Sequence, residues 1–151
     1  MKRILIIIFI ILSLSGCTNN EVQDNSIVIA KIGINSNYNI VRLDDDVNGI
    51  VMYDECGRPN ISGSNTVIGA HSGIGPNALF NNISKLEKDD LINIVYDNIE
   101  YVYSVIDVKV IKDSDVYVLD DTGESILTLL TCKFGDVGKR IVVISKLTVD
   151  L

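Results

Sequence analysis

Three residues of this 151-residue chain have the types and the placing for covalent acyl chemistry: Cys132, Arg140 and His71, the last being its single histidine. Cys132 closes the apolar run Ile126-Leu127-Thr128-Leu129-Leu130-Thr131-Cys132. A glycine-bearing loop follows, Lys133-Phe134-Gly135-Asp136-Val137-Gly138-Lys139, and Arg140 then opens the run Ile141-Val142-Val143-Ile144-Ser145. If the two runs are neighbouring strands, a thiol and a guanidinium meet at one end of a sheet. His71 closes a third run, Asn65-Thr66-Val67-Ile68-Gly69-Ala70, and enters a loop with Ser72, Gly73 and Gly75. Each residue alone has an ordinary reading. A cysteine at a strand end is more often a small buried hydrophobe than a nucleophile, and a histidine in a turn is a surface group by default. Together they supply a nucleophile, an acid–base group and a permanently charged hydrogen-bond donor.

Short β-branched runs separated by polar turns dominate the chain after Ser26, and they predict the elements that position these groups. The strand candidates are Ile27 to Ile34, Ile40 to Leu43, Gly49 to Tyr53, Thr66 to Ala70, Leu91 to Tyr96, Glu100 to Ile111, Ile126 to Thr131 and Ile141 to Leu147. Turn residues lie between them at Asn35 to Asn37, Gly57-Arg58-Pro59-Asn60, Asp97-Asn98 and Asp120-Asp121-Thr122-Gly123. Asn77 after Pro76 is placed to cap one helix, Ala78 to Ile83, with Leu79, Ile83 and Leu86 on a shared face. Eight strands and one short helix in a chain of this length predict an all-β fold, a closed eight-stranded barrel that leaves no exposed edge.

The amino-terminal segment has a different character. Met1-Lys2-Arg3 precedes the apolar stretch Ile4 to Leu14, and Leu14-Ser15-Gly16-Cys17 follows. As a helix, Ile4 to Cys17 reaches about 21 Å, short of the roughly 30 Å hydrocarbon core of a bilayer. This is the build of a secretory signal, and its end resembles a bacterial lipobox, with Cys17 as the lipidation site. The predicted organisation is a lipoprotein-type signal peptide over 1–16, a polar tether over 17–26 and one folded domain over 27–151. The alternative is an uncleaved signal anchor. Both put the domain outside the cytoplasm, attached to the outer face of a membrane.

Thirteen basic against twenty acidic residues give a net charge of -7 and no basic stripe, which argues against nucleic acid as a partner. With Cys17 set aside, Cys56 and Cys132 remain of the three cysteines. An exported pair of cysteines is free to form a disulfide, but Cys132 is read here as kept reduced and Cys56, in a polar turn, as a bystander. No CxxC, HExxH or clustered His/Cys pattern offers ligands for zinc. Asp44-Asp45-Asp46 and Asp113/Asp115 lack the ligand spacing of a calcium loop and read as solvated turns. Neither a metal nor a cofactor is expected.

Thr128-Leu129-Leu130-Thr131-Cys132, with Arg140 after a short loop, resembles the signature TLxTC…Arg of the sortase family. Asn65 to His71 resembles that family's NxVIxGH strand. Phe80, Leu86, Asp90 and Ile92 fit its FxxLxxLxxGDxI stretch, and Ile29 to Ile34 resembles its IPKIGI opening. The likeness extends from about Ile27 to Leu147. It departs at Ala30 for Pro, at Gly69-Ala70 for Ala-Gly and at Asp89 for Gly. The family's anchor is also typically an uncleaved helix. Chain order excludes papain-like enzymes, whose cysteine precedes the histidine, and the local signatures of caspase-like enzymes are missing.

The resemblance implies a cysteine transpeptidase with His71, Cys132 and Arg140 as its catalytic set and Thr131, the residue before the thiol, as a substrate contact. Ordinary strand packing is the alternative for Thr131. The implied partners are surface proteins bearing an LPxTG-like sorting motif, and a cell-wall precursor or pilin amine as acceptor. A free thiol and a free imidazole are jointly thiolate and imidazolium in under about 1% of uncoupled molecules at neutral pH. A neighbouring Arg140 favours the thiolate of that pair. Two other readings of the same chain are a sorting-motif hydrolase and a lipid-anchored barrel that binds without turnover.

Overall fold

The computed structural model describes residues 25–150. The expected signal segment, Cys17 and most of the tether lie outside the described residues. Eight strands close into one barrel: β1 (Asn25–Ile29), β2 (Ile34–Val41), β3 (Ile50–Tyr53), β4 (Asn65–Ala70), β5 (Leu91–Tyr96), β6 (Ile99–Lys112), β7 (Ile126–Cys132) and β8 (Lys139–Asp150). Their order around the barrel is β1-β2-β3-β4-β7-β8-β6-β5, with β5 returning to β1. Two neighbouring pairs, β2–β3 and β4–β7, are parallel, and the rest are antiparallel.

Alternation in the sequence explains most of this. In β1, Ile27 and Ile29 are fully buried while Val28 between them is exposed, the period of two of a half-buried strand. β4 is buried at every position, because β3 and β7 flank it and neighbouring structure covers its outer side. A strand covered on both faces reads as a continuous apolar run. β5 and β6 form a hairpin whose two turn residues, Asp97 and Asn98, both take positive φ (52° and 62°). That is the type I′ geometry whose twist matches the strands. Ile27, Ile68, Ile92, Ile94, Tyr103, Leu127, Leu129 and Val143 fill the interior.

The structure departs from the sequence reading at several places. The expected turn Asn35 to Asn37 is instead part of β2, paired with Val28, Ile27 and Ser26 of β1. The run Ile27 to Ile34 is not one strand. It breaks at a 3-10 turn, Ala30–Ile32, which Gly33 ends with φ 71°, and Ile29 then pairs with Ile34. The second candidate, Ile40 to Leu43, begins on the tail of β2. The break is stabilised away from the strands, where the Lys31 ammonium meets Glu87 at 2.6 Å and Asp90 at 2.9 Å.

The helix expected over Asn77 to Ile83 does not form, and a single 3-10 turn, Ile83–Lys85, stands after it. Phe80, Ile83 and Leu86 are buried and Leu79 is exposed. Their spacing of three is the period of a 3-10 helix, not that of an α-helix. The Phe80 N–H donates to the carbonyl of His71 at 3.0 Å, which ties this segment to the end of β4. Other 3-10 turns are short, as at Val116–Leu119. Among the described residues no helix is long and apolar enough to cross a membrane.

Candidate active site

Cys132 is the last residue of β7 and Arg140 the second of β8, and the antiparallel register sets them directly opposite one another. Direct cross-strand neighbours on one face bring their side chains together. Here Nη1 of Arg140 donates to Sγ of Cys132 at 3.3 Å. The loop between them is a compact turn. Lys133 N–H bonds the Lys139 carbonyl at 2.9 Å, Gly135 and Gly138 take φ of 79° and 80°, and the Asp136 carboxylate accepts both Lys133 and Lys139 ammonium groups at 3.0 Å. Those lysines, Lys133 first, hold the Asp136 carboxyl below its ordinary value.

His71 reaches the same place by another route. β4 runs parallel to β7, with Gly69 beside Leu130 as the last rung of their ladder in register. One residue on, the buried hydroxyl of Thr131 donates to the Ala70 carbonyl at 2.7 Å. His71 itself lies just past the strand, where backbone pairing has stopped, and side chains take over. The Ser72 hydroxyl donates to the carbonyl of Cys132. The Asn81 side-chain amide grips Gly73 twice, accepting from its N–H at 2.7 Å and donating to its carbonyl at 3.0 Å. Gly73 has φ 129°, and the Phe134 ring lies 3.4 Å from where its Cβ would stand. The loop bearing His71 is thus tied to the end of β7 and to the Phe80–Asn81 segment.

One cavity of about 190 Å³ joins the three residues: His71, Cys132 and Arg140 line it with Val47, Tyr53, Ala70, Leu130 and Thr131. A smaller hollow shares Leu130 and Arg140 with it and is otherwise walled by Ile111, Val116, Val118 and Leu119 with the charged Lys112, Asp113 and Asp115. Larger surface hollows elsewhere hold none of the three. Thr131 lines the cavity, with its hydroxyl committed to Ala70. Cys56 is outside it, half-buried and a free thiol like Cys132. Burial, then Glu55 and Asp121, push the Cys56 thiol up to about 11, so little thiolate forms there at neutral pH. Among the described residues no group of three or more His, Cys, Asp or Glu side chains is arranged to hold a metal ion.

Sequence reasoning missed Tyr53, Ser72 and Asn81. Tyr53 ends a strand with nothing in its neighbourhood to mark it. Asn81 falls inside the stretch that reads as a helix, and its partner Gly73 lies eight residues earlier, a spacing that no local pattern reports.

No match was found among curated protein sequences. Among solved structures, a Clostridium perfringens sortase D5 transpeptidase is similar at 28% identity and a TM-score of 0.72, over 84% of this chain and 79% of that one. Sortase A from Corynebacterium diphtheriae, a lid mutant, is similar at 22% identity and a TM-score of 0.76, over 84% of this chain and 70% of that one. A Clostridium perfringens sortase C with the C-terminal cell wall sorting motif is similar at 24% identity and a TM-score of 0.73, over 82% of this chain and 69% of that one. The model of the sortase domain matches residues 25–148, nearly the whole of the barrel. The chain belongs to the sortase family.

Proposed function

We propose that the protein is a cysteine transpeptidase that cleaves an LPxTG-like sorting motif and passes its acyl part to an amine. The observation that carries this reading is the Arg140 guanidinium donating to the Cys132 sulfur at 3.3 Å, in a cavity that His71 also lines. A purely structural barrel has no need to set those groups around one opening.

The chemistry runs in two halves. Cys132, as thiolate, attacks the carbonyl carbon of the motif's threonine, and the C=O electron pair moves onto oxygen. Arg140 and a backbone N–H near Cys132 stabilise that oxyanion, and one good donor of this kind contributes about 3–4 kcal/mol. The intermediate collapses, the C–N bond breaks, and His71 as imidazolium gives its proton to the departing amine. A thioester on Cys132 remains. An amine from a cell-wall precursor or a pilin then attacks it, His71 accepts the proton, and the thiolate leaves. Support for the substrate class comes from family membership and from the sorting motif in the related C. perfringens structure. Thr131 in this reading shapes the cavity wall that the peptide meets.

The domain works outside the cytoplasm at the outer face of the membrane, held by a lipid on Cys17 after removal of residues 1–16. This part rests on the sequence pattern. A globomycin-type block of lipoprotein processing yields a heavier precursor if it holds, and unchanged mobility removes it.

The test of the activity is mass spectrometry of the protein mixed with LPxTG-type peptides and hydroxylamine. The expected result is an acyl adduct on Cys132 and a peptide hydroxamate, both lost in Cys132→Ala. Turnover retained by Cys132→Ala would refute the assignment.

A further inference from the structure

Val47 and Tyr53 line the catalytic cavity without a part in the motifs or the chemistry above, and of the two only Tyr53 carries a polar side-chain group. It ends β3, half-buried, and lines the cavity with Cys132, His71 and Arg140. Its ring lies diagonally across the β3–β4 pair, over Gly69. A Cβ built at Gly69 would stand 2.7 Å from the Tyr53 hydroxyl oxygen and 2.9 Å from the ring carbon Cε2. Only glycine leaves room for the ring. The order Gly69-Ala70, the reverse of the family's usual Ala-Gly, therefore has a physical cause in this chain.

The hydroxyl at the end of that ring makes no hydrogen bond among the described residues. The bonds that Tyr53 does form, from Cys56 and Arg58, go to its backbone carbonyl. A half-buried phenol held against a catalytic cavity, with its donor unspent, is matched to a group that arrives from outside. The guanidinium of Arg140 opens on the same cavity and offers only donors. Two donors beside one opening call for an acceptor, and an extended peptide presents carbonyl oxygens along its backbone. Burial, then the Cys56 thiol, keep the phenol above its ordinary value, so its proton stays in place through the working range.

We infer that Tyr53 is a substrate-binding residue whose hydroxyl donates a hydrogen bond to a backbone carbonyl of the acyl-donor peptide, and that Gly69 is required to seat its ring. The inference rests on the transpeptidase reading and adds a residue to it. Neutral hydrogen bonds of this kind contribute about 0.5–1.5 kcal/mol net, which is roughly a two- to twelvefold change in rate.

The experiment compares wild type, Tyr53→Phe, Gly69→Ala and the double variant as full chains, on the LPxTG-type peptide that wild type cleaves fastest, with hydroxylamine as acceptor. Tyr53→Phe is expected to lower kcat/KM for the peptide about fivefold, with the hydroxylamine dependence and the melting temperature unchanged. Gly69→Ala is expected to cost about as much, and under twofold once the hydroxyl is already gone. A Tyr53→Phe rate within twofold of wild type, an effect confined to the hydroxylamine dependence, or a Gly69→Ala cost that is equal in both backgrounds overturns the inference. If wild type forms no adduct on Cys132 with any peptide, the parent reading fails instead, and the two failures are told apart by that control.

Discussion

The β7–β8 hairpin and the loop after β4 each deliver part of the same site, by opposite means. Cys132 and Arg140 are set by the backbone ladder, as facing residues of two adjacent strands joined by a six-residue turn. His71 stands beyond the end of its strand, and its neighbours are fixed by the Thr131 and Asn81 side chains, which reach Ala70 and Gly73 from other segments, and by Ser72, whose hydroxyl reaches out to the Cys132 carbonyl. A ladder is redundant, since each rung is supported by the next. A set of single side-chain bonds is not. The hairpin therefore tolerates changes around Cys132 and Arg140, whereas the histidine loop depends on individual distant residues.

Substitutions can break or sharpen that contrast. The largest effect is expected at Arg140 of the hairpin. Arg140→Lys keeps the charge but loses the planar fork, and kcat/KM for peptide cleavage falls about 100-fold or more. Near-wild-type turnover would remove Arg140 from the oxyanion role. Next comes the histidine loop. Asn81→Ala removes both bonds to Gly73, and we expect kcat to fall about tenfold with KM little changed. Steady-state kinetics beside a thermal melt separates this from simple unfolding, and an unaltered kcat would show that the loop holds itself.

Thr131→Val is smaller in turnover. It preserves shape and leaves the buried Ala70 carbonyl short of a donor, so stability drops by about 1–2 kcal/mol in chemical denaturation, with a loss of rate of about threefold. The smallest effect is expected in the hairpin turn. Asp136→Asn releases Lys133 and Lys139, and turnover at neutral pH changes less than about twofold, because exposed ion pairs of this kind contribute little. The sign with pH is fixed: a carboxyl held below its ordinary value stabilises the fold above that value, and the contribution is lost as pH falls through the lowered one. Thermal melts from pH 6 down to pH 3 are expected to show a slightly shallower acid loss in Asp136→Asn than in wild type.

Legibility in the sequence follows the same division. Ile126 to Cys132 and Arg140 to Ser145 announce themselves because a strand, a glycine turn and a second strand are all local features. Asn65 to His71 is as plain, a short run with Val67 to Ala70 apolar that ends in the only histidine of the sequence. The barrel class followed from counting such runs. Hidden from a linear reading was whatever depends on partners distant in the chain. The break at Ala30–Ile32 is stabilised by Lys31 finding Glu87 and Asp90 more than fifty residues away. The stretch around Asn77 to Ile83 has helical composition, yet its N–H and side-chain groups are engaged by His71 and Gly73. Tyr53 gives no sign of itself until Gly69 is seen beneath its ring.

The parallel pairing of β4 with β7 has a consequence for how the chain reaches this state. Asn65 to Gly69 must find Ile126 to Leu130, so roughly sixty intervening residues are looped out before the first rung forms. Loop closure of that length costs entropy that only later contacts repay, and topologies rich in such distant pairings fold slowly. During synthesis the edge of β4 has no partner on its β7 side until β7 has emerged. Until then an apolar strand waits unpaired, and this interval is when the protein is most exposed to aggregation.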